Sequence, residues 1–150
     1  MATPFAKNED LDLDALRRLT DWLIEQGVHG LFPNSSLGEY PKLSMEERKK
    51  VIDVVVDQVN GRVQVIAGTG AVSTRETLEL TRHAQDVGAD YAIIIEPFYY
   101  RPTPEEILDH FKVVADKTDI PLLVYDVPSF TGYSLSADLV ARLATIEGIV

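Results

Sequence analysis

Three short segments hold the residue types that could do chemistry. Asn34-Ser35-Ser36-Leu37-Gly38-Glu39 combines small hydroxyls with a run of backbone N–H groups. Such a turn can form a nest for a carboxylate or phosphate. It can equally be a plain turn in which the Asn and Ser side chains bond their own backbone. Pro97-Phe98-Tyr99-Tyr100-Arg101-Pro102 and Tyr125-Asp126 supply phenols. A phenol titrates near pH 10 and shuttles a proton only when a hydrogen-bonded partner activates it. Either tyrosine alone would read as aromatic packing, but both fall just after predicted strands, as Ser36 does. Gly68-Thr69-Gly70 also follows a strand and opens a helix. A dinucleotide fingerprint would need a third glycine and an acid closing the next strand; Asp86 falls in a predicted helix and Asp90 ahead of a strand. A tight strand-to-helix turn is the simpler reading. His29, His83 and His110 lie on separate predicted elements, without ligand spacing, so no metal site is expected.

The elements that must position these groups recur as a unit of strand, loop and amphipathic helix. Apolar runs begin near Val28, Val63, Tyr91, Pro121 and Gly148, at intervals of 27 to 35 residues, the size of a βα repeat. Ser44-Met-Glu-Glu47 and Ser73-Thr-Arg-Glu76 read as capping boxes, and Thr103-Pro104 as a capped start with proline in the first turn. Asp12 and Ser136 are candidate caps, and Gly27, Gly61 and Gly88 candidate stops. Leu13, Leu16, Leu19 and Leu23 mark one helical face. The strands are continuously apolar, as in Ala92-Ile-Ile-Ile95, the mark of a parallel sheet covered on both faces. Strict alternation allows an open doubly wound sheet or a (β/α)8 barrel. The polar residues gather after the strands: Thr3, Asn34-Ser35-Ser36, Thr69, Glu96, Tyr99, Tyr100, Tyr125 and Asp126. A barrel brings all such loops to one face, so the barrel is the expected fold.

Composition narrows the function classes. The chain has 150 residues, 14 Lys+Arg against 24 Asp+Glu, a net charge of −10 and no cysteine. A cysteine nucleophile, thiolate metal sites and disulfides are therefore excluded. The acidic balance argues against nucleic acid, and the lack of a long apolar run against a membrane span. A soluble cytoplasmic protein is expected.

Thr3-Pro-Phe5, Ser35-Ser-Leu-Gly-Glu39, Leu43-Ser-Met-Glu-Glu-Arg48, Ala67-Gly-Thr-Gly-Ala71, Gly88-Ala-Asp90, Pro97-Phe-Tyr99 and Tyr125-Asp-Val-Pro-Ser-Phe-Thr-Gly132 occur in order along the whole chain. Together they resemble the dihydrodipicolinate synthase/N-acetylneuraminate lyase family. The resemblance implies a (β/α)8 TIM barrel, with residues 1–150 forming its N-terminal part of about five βα units. It implies a class I aldolase, in which a lysine forms a Schiff base with pyruvate or another 2-oxo acid and an aldehyde is the second partner. No cofactor is implied, and the complete protein would be a homodimer or homotetramer.

Carried onto this chain, the resemblance makes Tyr125 the proton-transferring phenol, Ser36 the relay hydroxyl and Tyr99 the relay tyrosine reaching into a neighbouring subunit. Ser36 and Leu37 would seat the pyruvate carboxylate. Three positions depart from the synthase pattern. Leu37 stands where a second threonine is usual, Asp126 where asparagine is usual, and Phe130 where an arginine grips the aldehyde's carboxylate. Loss of that bidentate cation favours an aldolase for a 2-keto-3-deoxy sugar acid over a strict synthase. Lys7, Lys42, Lys49, Lys50, Lys112 and Lys117 all lie away from expected strand ends. The resemblance places the Schiff-base lysine at the end of the sixth strand, just beyond Val150, where that strand has barely begun, and Thr3-Pro-Phe5 should close the first. This chain alone is then expected to be inactive. The alternative is a noncatalytic carboxylate-binding or assembly module.

Overall fold

A computed structural model describes residues 1–150. Four parallel strands, β1 (Gly30–Leu31), β2 (Gln64–Gly68), β3 (Tyr91–Ile95) and β4 (Leu122–Tyr125), pair strictly in chain order. The register runs Leu31 to Val65, Ala67 to Ala92, and Ile95 to Tyr125. Ile149 continues the series, bridging in parallel to Leu122. A doubly wound sheet would reverse order at a switch point; uninterrupted order is the wall of a barrel.

The five expected helices are α1 (Leu13–Glu25), α2 (Met45–Val59), α3 (Thr74–Asp86), α4 (Pro104–Ala115) and α6 (Ala137–Leu143). Each begins where a side chain can cap it. Asp12, Ser44, Ser73, Thr103 and Ser136 each accept the N–H three residues on, worth about 1 kcal/mol apiece. Full capping boxes form at Ser44–Glu47 and Thr103–Glu106. At Ser73 the Glu76 carboxylate instead accepts from the serine hydroxyl, 2.9 Å away, so the expected box is incomplete. Gly27, Gly61 and Gly88 take the positive φ that ends the first three long helices, Gly61 after a left-handed Asn60.

Three expectations change. The run from Val28 contributes only two strand residues, and His29 lies in the bend before them. Thr3-Pro-Phe5 closes no strand; Phe5 makes an isolated antiparallel bridge to Leu11. A one-turn helix, α5 (Pro128–Thr131), also follows β4, too short to leave a periodic signature.

Two apolar clusters lie between the sheet and its helices. Leu16, Leu31, Val51, Val55, Val59 and Val65 join α1 and α2 to the first two strands. Ala92, Ile94, Phe111, Val114, Leu122 and Leu143 join α4 and α6 to the last two. Period-two alternation then turns Ile93 and Ile95 to the opposite, inner face, where the site lies.

Candidate active site

The segment after β1 is braced before it can offer anything to a ligand. Asn34, 2% exposed and left-handed at φ 54°, donates its side-chain amide to the Arg48 carbonyl at 3.0 Å. The Ser35 hydroxyl accepts the Gly38 N–H at 3.2 Å and bonds the backbone of Met1. Thr3 donates to the Gly38 carbonyl at 2.9 Å. Ser35 and Asn34 thus serve the turn, and Ser36 opens a 3-10 turn, Ser36–Gly38, beside the cleft.

Arg48 of α2 reaches over the end of β2. It is 6% exposed, and its guanidinium donates to the carbonyls of Gly68 and Gly70 at 3.2 and 2.8 Å. It also stacks 4.7 Å from the centroid of the Tyr40 ring. Burial lowers its pKa to about 10, which leaves it charged at neutral pH. Burial likewise raises the Tyr40 phenol, with the Arg48 charge working against the rise.

A cleft of about 190 Å³ opens at the strand ends, lined by Ser36, Tyr40, Pro41, Ile95, Phe98, Phe130 and Thr131. A void of about 10 Å³ shares Ser36, Tyr40 and Ile95 with it and is bounded also by Tyr125 and Phe32. The Tyr125 ring meets Phe32 edge-on at 5.7 Å. The structure thus brings Ser36 and Tyr125 around one small space and sets Phe130 at the mouth.

Two further expected residues turn their side chains outward. Tyr99 is 84% exposed, at φ 80°, and packs edge-on against Tyr100 rather than into the cleft. The Leu37 side chain is also turned out to solvent. Tyr40 and Arg48 are prominent here without having been singled out as catalytic candidates. For Tyr40 a signal existed, a phenol in the same loop as Ser36. In the sequence Arg48 figures only as the end of the Leu43–Arg48 segment, with no role of its own.

Glycine at 68 and 70 is a matter of space. A Cβ on Gly68 would lie 2.3 Å from the Asn34 carbonyl oxygen, and one on Gly70 2.7 Å from the Ile95 nitrogen. The room a bound pyrophosphate would need is filled by the chain's own backbone. No group of three His, Asp or Glu side chains is arranged to hold a metal ion, and no helix is long and apolar enough to cross a membrane.

Comparison with known proteins agrees with this architecture. The 4-hydroxy-tetrahydrodipicolinate synthases of Methanothermobacter thermautotrophicus and Methanothrix thermoacetophila are 42% and 47% identical over 150 and 148 residues. Those matches take in 100% and 99% of this chain but 53% and 50% of theirs. A crystal structure of chloride-inhibited dihydrodipicolinate synthase from Acinetobacter baumannii, complexed with pyruvate, superposes with a TM-score of 0.96 at 43% identity. That match covers all of this chain and 52% of that one. The chain spans about half the length of the curated relatives it matches. The model of the dihydrodipicolinate synthetase family matches residues 1–150, and the chain belongs to that family.

Proposed function

We propose that this chain supplies the N-terminal half of the active site of a Schiff-base lyase that makes or breaks a bond between pyruvate and an aldehyde. The observation that carries this reading is the placement of Ser36 and Tyr125 around one void beneath the cleft. The N–H groups around Ser36 and Leu37 would seat the pyruvate carboxylate, as in an anion nest. Tyr125 would move the proton to and from the imine region, with the Ser36 hydroxyl beside it. Tyr99, projecting with Tyr100, would complete the relay in a neighbouring subunit, and Leu37 would force any relay through that position to run by water. None of the chain's lysines lines the cleft, so the imine lysine would come from sequence after Val150. The pyruvate bound to the Acinetobacter baumannii relative supports the choice of 2-oxo acid.

For the aldehyde, one observation favours a 2-keto-3-deoxy sugar acid-type aldolase: Phe130 lines the cleft, and none of the lining residues on this half is cationic. The names of the relatives point instead to 4-hydroxy-tetrahydrodipicolinate synthesis. Borohydride reduction of the full-length protein with pyruvate tests the shared chemistry. The expected result is a single covalent adduct on lysine that is lost when pyruvate is omitted. A folded protein that forms no adduct would overturn the lyase reading in favour of a noncatalytic carboxylate-binding module. Turnover of aspartate semialdehyde against sugar-derived aldehydes then decides the partner.

A further inference from the structure

Glu96 follows β3 directly, next to Ile95 of the cleft wall. It is fully buried, and neither carboxyl oxygen has a partner within hydrogen-bonding geometry. The Thr131 hydroxyl and the Asp126 carboxylate stand closest to it. The phenols of Tyr133 and Tyr40 also face it, while the Arg101 and Arg48 guanidinium groups stack on those two rings, at 5.9 and 4.7 Å from their centroids. No cation therefore pairs with Glu96. Burying an unpaired carboxylate costs several kcal/mol, so the group keeps its proton. Burial pushes its pKa above the usual glutamate range, and the neighbouring Asp126 charge adds to the shift. A protonated Glu96 is a donor that needs an acceptor.

Both neighbours belong to the segment that walls the cleft. Asp126 accepts the Leu135 N–H at 3.4 Å. Thr131 donates to the carbonyls of Val127 and Tyr133 at 3.3 and 2.9 Å, which leaves its oxygen free to accept. The same segment is tied back once more, by the Tyr133 hydroxyl donating to the Pro97 carbonyl at 2.5 Å. Phe130 and Thr131, which line the cleft, sit between these ties.

We propose that Glu96 is a positioning residue, whose protonated carboxyl group donates its one proton to the Asp126 carboxylate across the ends of β3 and β4 and so holds the Pro128–Thr131 turn against the cleft. A raised folded-state pKa means the hold is complete below the ordinary glutamate value. It is lost as pH rises from there through Glu96's own value. Beyond that value two carboxylates would face each other under the turn. The consequence for substrate rests on reading the cleft as the lyase site; the turn's response to pH does not.

Hydrogen exchange of residues 127–133 in the full-length protein, corrected for intrinsic base catalysis, reads the hold directly. Exchange should rise by roughly a further tenfold per pH unit in the window where the open turn releases the proton and the closed turn keeps it. Glu96→Gln keeps a neutral donor and should stay protected, with no excess slope. Glu96→Ala should lose protection at every pH. A wild-type protein with no excess slope, or Glu96→Gln with the wild-type slope, would overturn the proposal. Infrared spectroscopy adds a measurement that needs no variant to fold. A protonated-carboxyl stretch from labelled glutamate should persist just above the ordinary glutamate range, and its absence overturns the proposal. Failure to trap pyruvate while these signatures persist would remove the proposed reaction and leave the positioning role standing.

Discussion

Gly68→Ala is the sharpest test of how the site is built. The added Cβ would lie 2.3 Å from the Asn34 carbonyl oxygen, 2.9 Å from its carbon and 2.9 Å from the Phe32 ring, against 3.4–4 Å for ordinary contact. Two of these atoms are backbone, and neither can swing aside. Asn34 is pinned by its bond to the Arg48 carbonyl, and the Gly68 N–H is bonded to the Pro33 carbonyl at 3.0 Å. Overpacking of a fixed backbone costs about 1–3 kcal/mol, and this site belongs at the top of that range. At about 2–4 °C per kcal/mol for a domain this large, the melting temperature should fall by roughly 6–12 °C. Gly88→Ala is the control. Its Cβ would meet nothing within 4 Å, but its φ of +89° makes any side chain strained, by about 1 kcal/mol. Equilibrium urea unfolding of the two variants separates crowding from backbone strain. Gly68→Ala should be the more destabilised by about 2 kcal/mol, and pyruvate trapping by the full-length protein should slow because Asn34 leads through Ser35 into Ser36. Equal costs, or a Gly68→Ala variant within error of wild type, would refute the close-approach argument.

Two further predictions bear on the site and its surroundings. Burial lowers His110 to a pKa of about 4, so the folded chain should resist protonation that the unfolded chain accepts. Stability should then rise with pH between about 4 and 6.5, by up to about 3 kcal/mol, and NMR titration of the imidazole should show a midpoint near the lower value. Phe130→Arg should restore a bidentate anion grip and raise kcat/KM for a carboxylate-bearing aldehyde by about 10–100-fold, with little change for a neutral one.

The helices were legible because their signals are local. Ser44 with Glu47, and Thr103 with Pro104, announce helix starts within four residues, and each start appears where expected. The barrel was legible from the one-sided placement of polar residues, and consecutive strand order bears it out. The site was less so, because it depends on where a side chain points. Tyr99 stands in the expected loop, and its left-handed backbone turns the ring outward, a φ of 80° that nothing in the residue pattern encodes. Arg48 sits in a charged run, Glu46-Glu47-Arg48-Lys49-Lys50, that reads as a solvated helix face. It is buried because the first turn of α2 leans over the end of β2, where its guanidinium donates to the Gly68 and Gly70 carbonyls. The glycine pair was ambiguous between ligand and turn until the Asn34 and Ile95 backbones were seen to occupy the space.

What ties these observations together is a division of labour among neighbouring polar residues. Asn34, Ser35 and Arg48 are consumed in hydrogen bonds that brace loops, and each is nearly buried. Ser36 and Tyr125 bound the shared void. A proton-transfer site must hold its reacting groups within a fraction of an ångström of a productive arrangement, which requires supports locked before substrate arrives. Here those supports are long-range. They join residue 1 to 35, 34 to 48, 48 to 68 and 70, and 97 to 133. Arg48 of α2 links the loop after β1 to the end of β2, and Tyr133 links the loop after β4 to that after β3, so displacing one loop should disturb its neighbour before it reaches the cleft. Substitutions at the braces should therefore lower stability and adduct formation together, whereas Tyr125→Phe should spare stability and strike the chemistry alone.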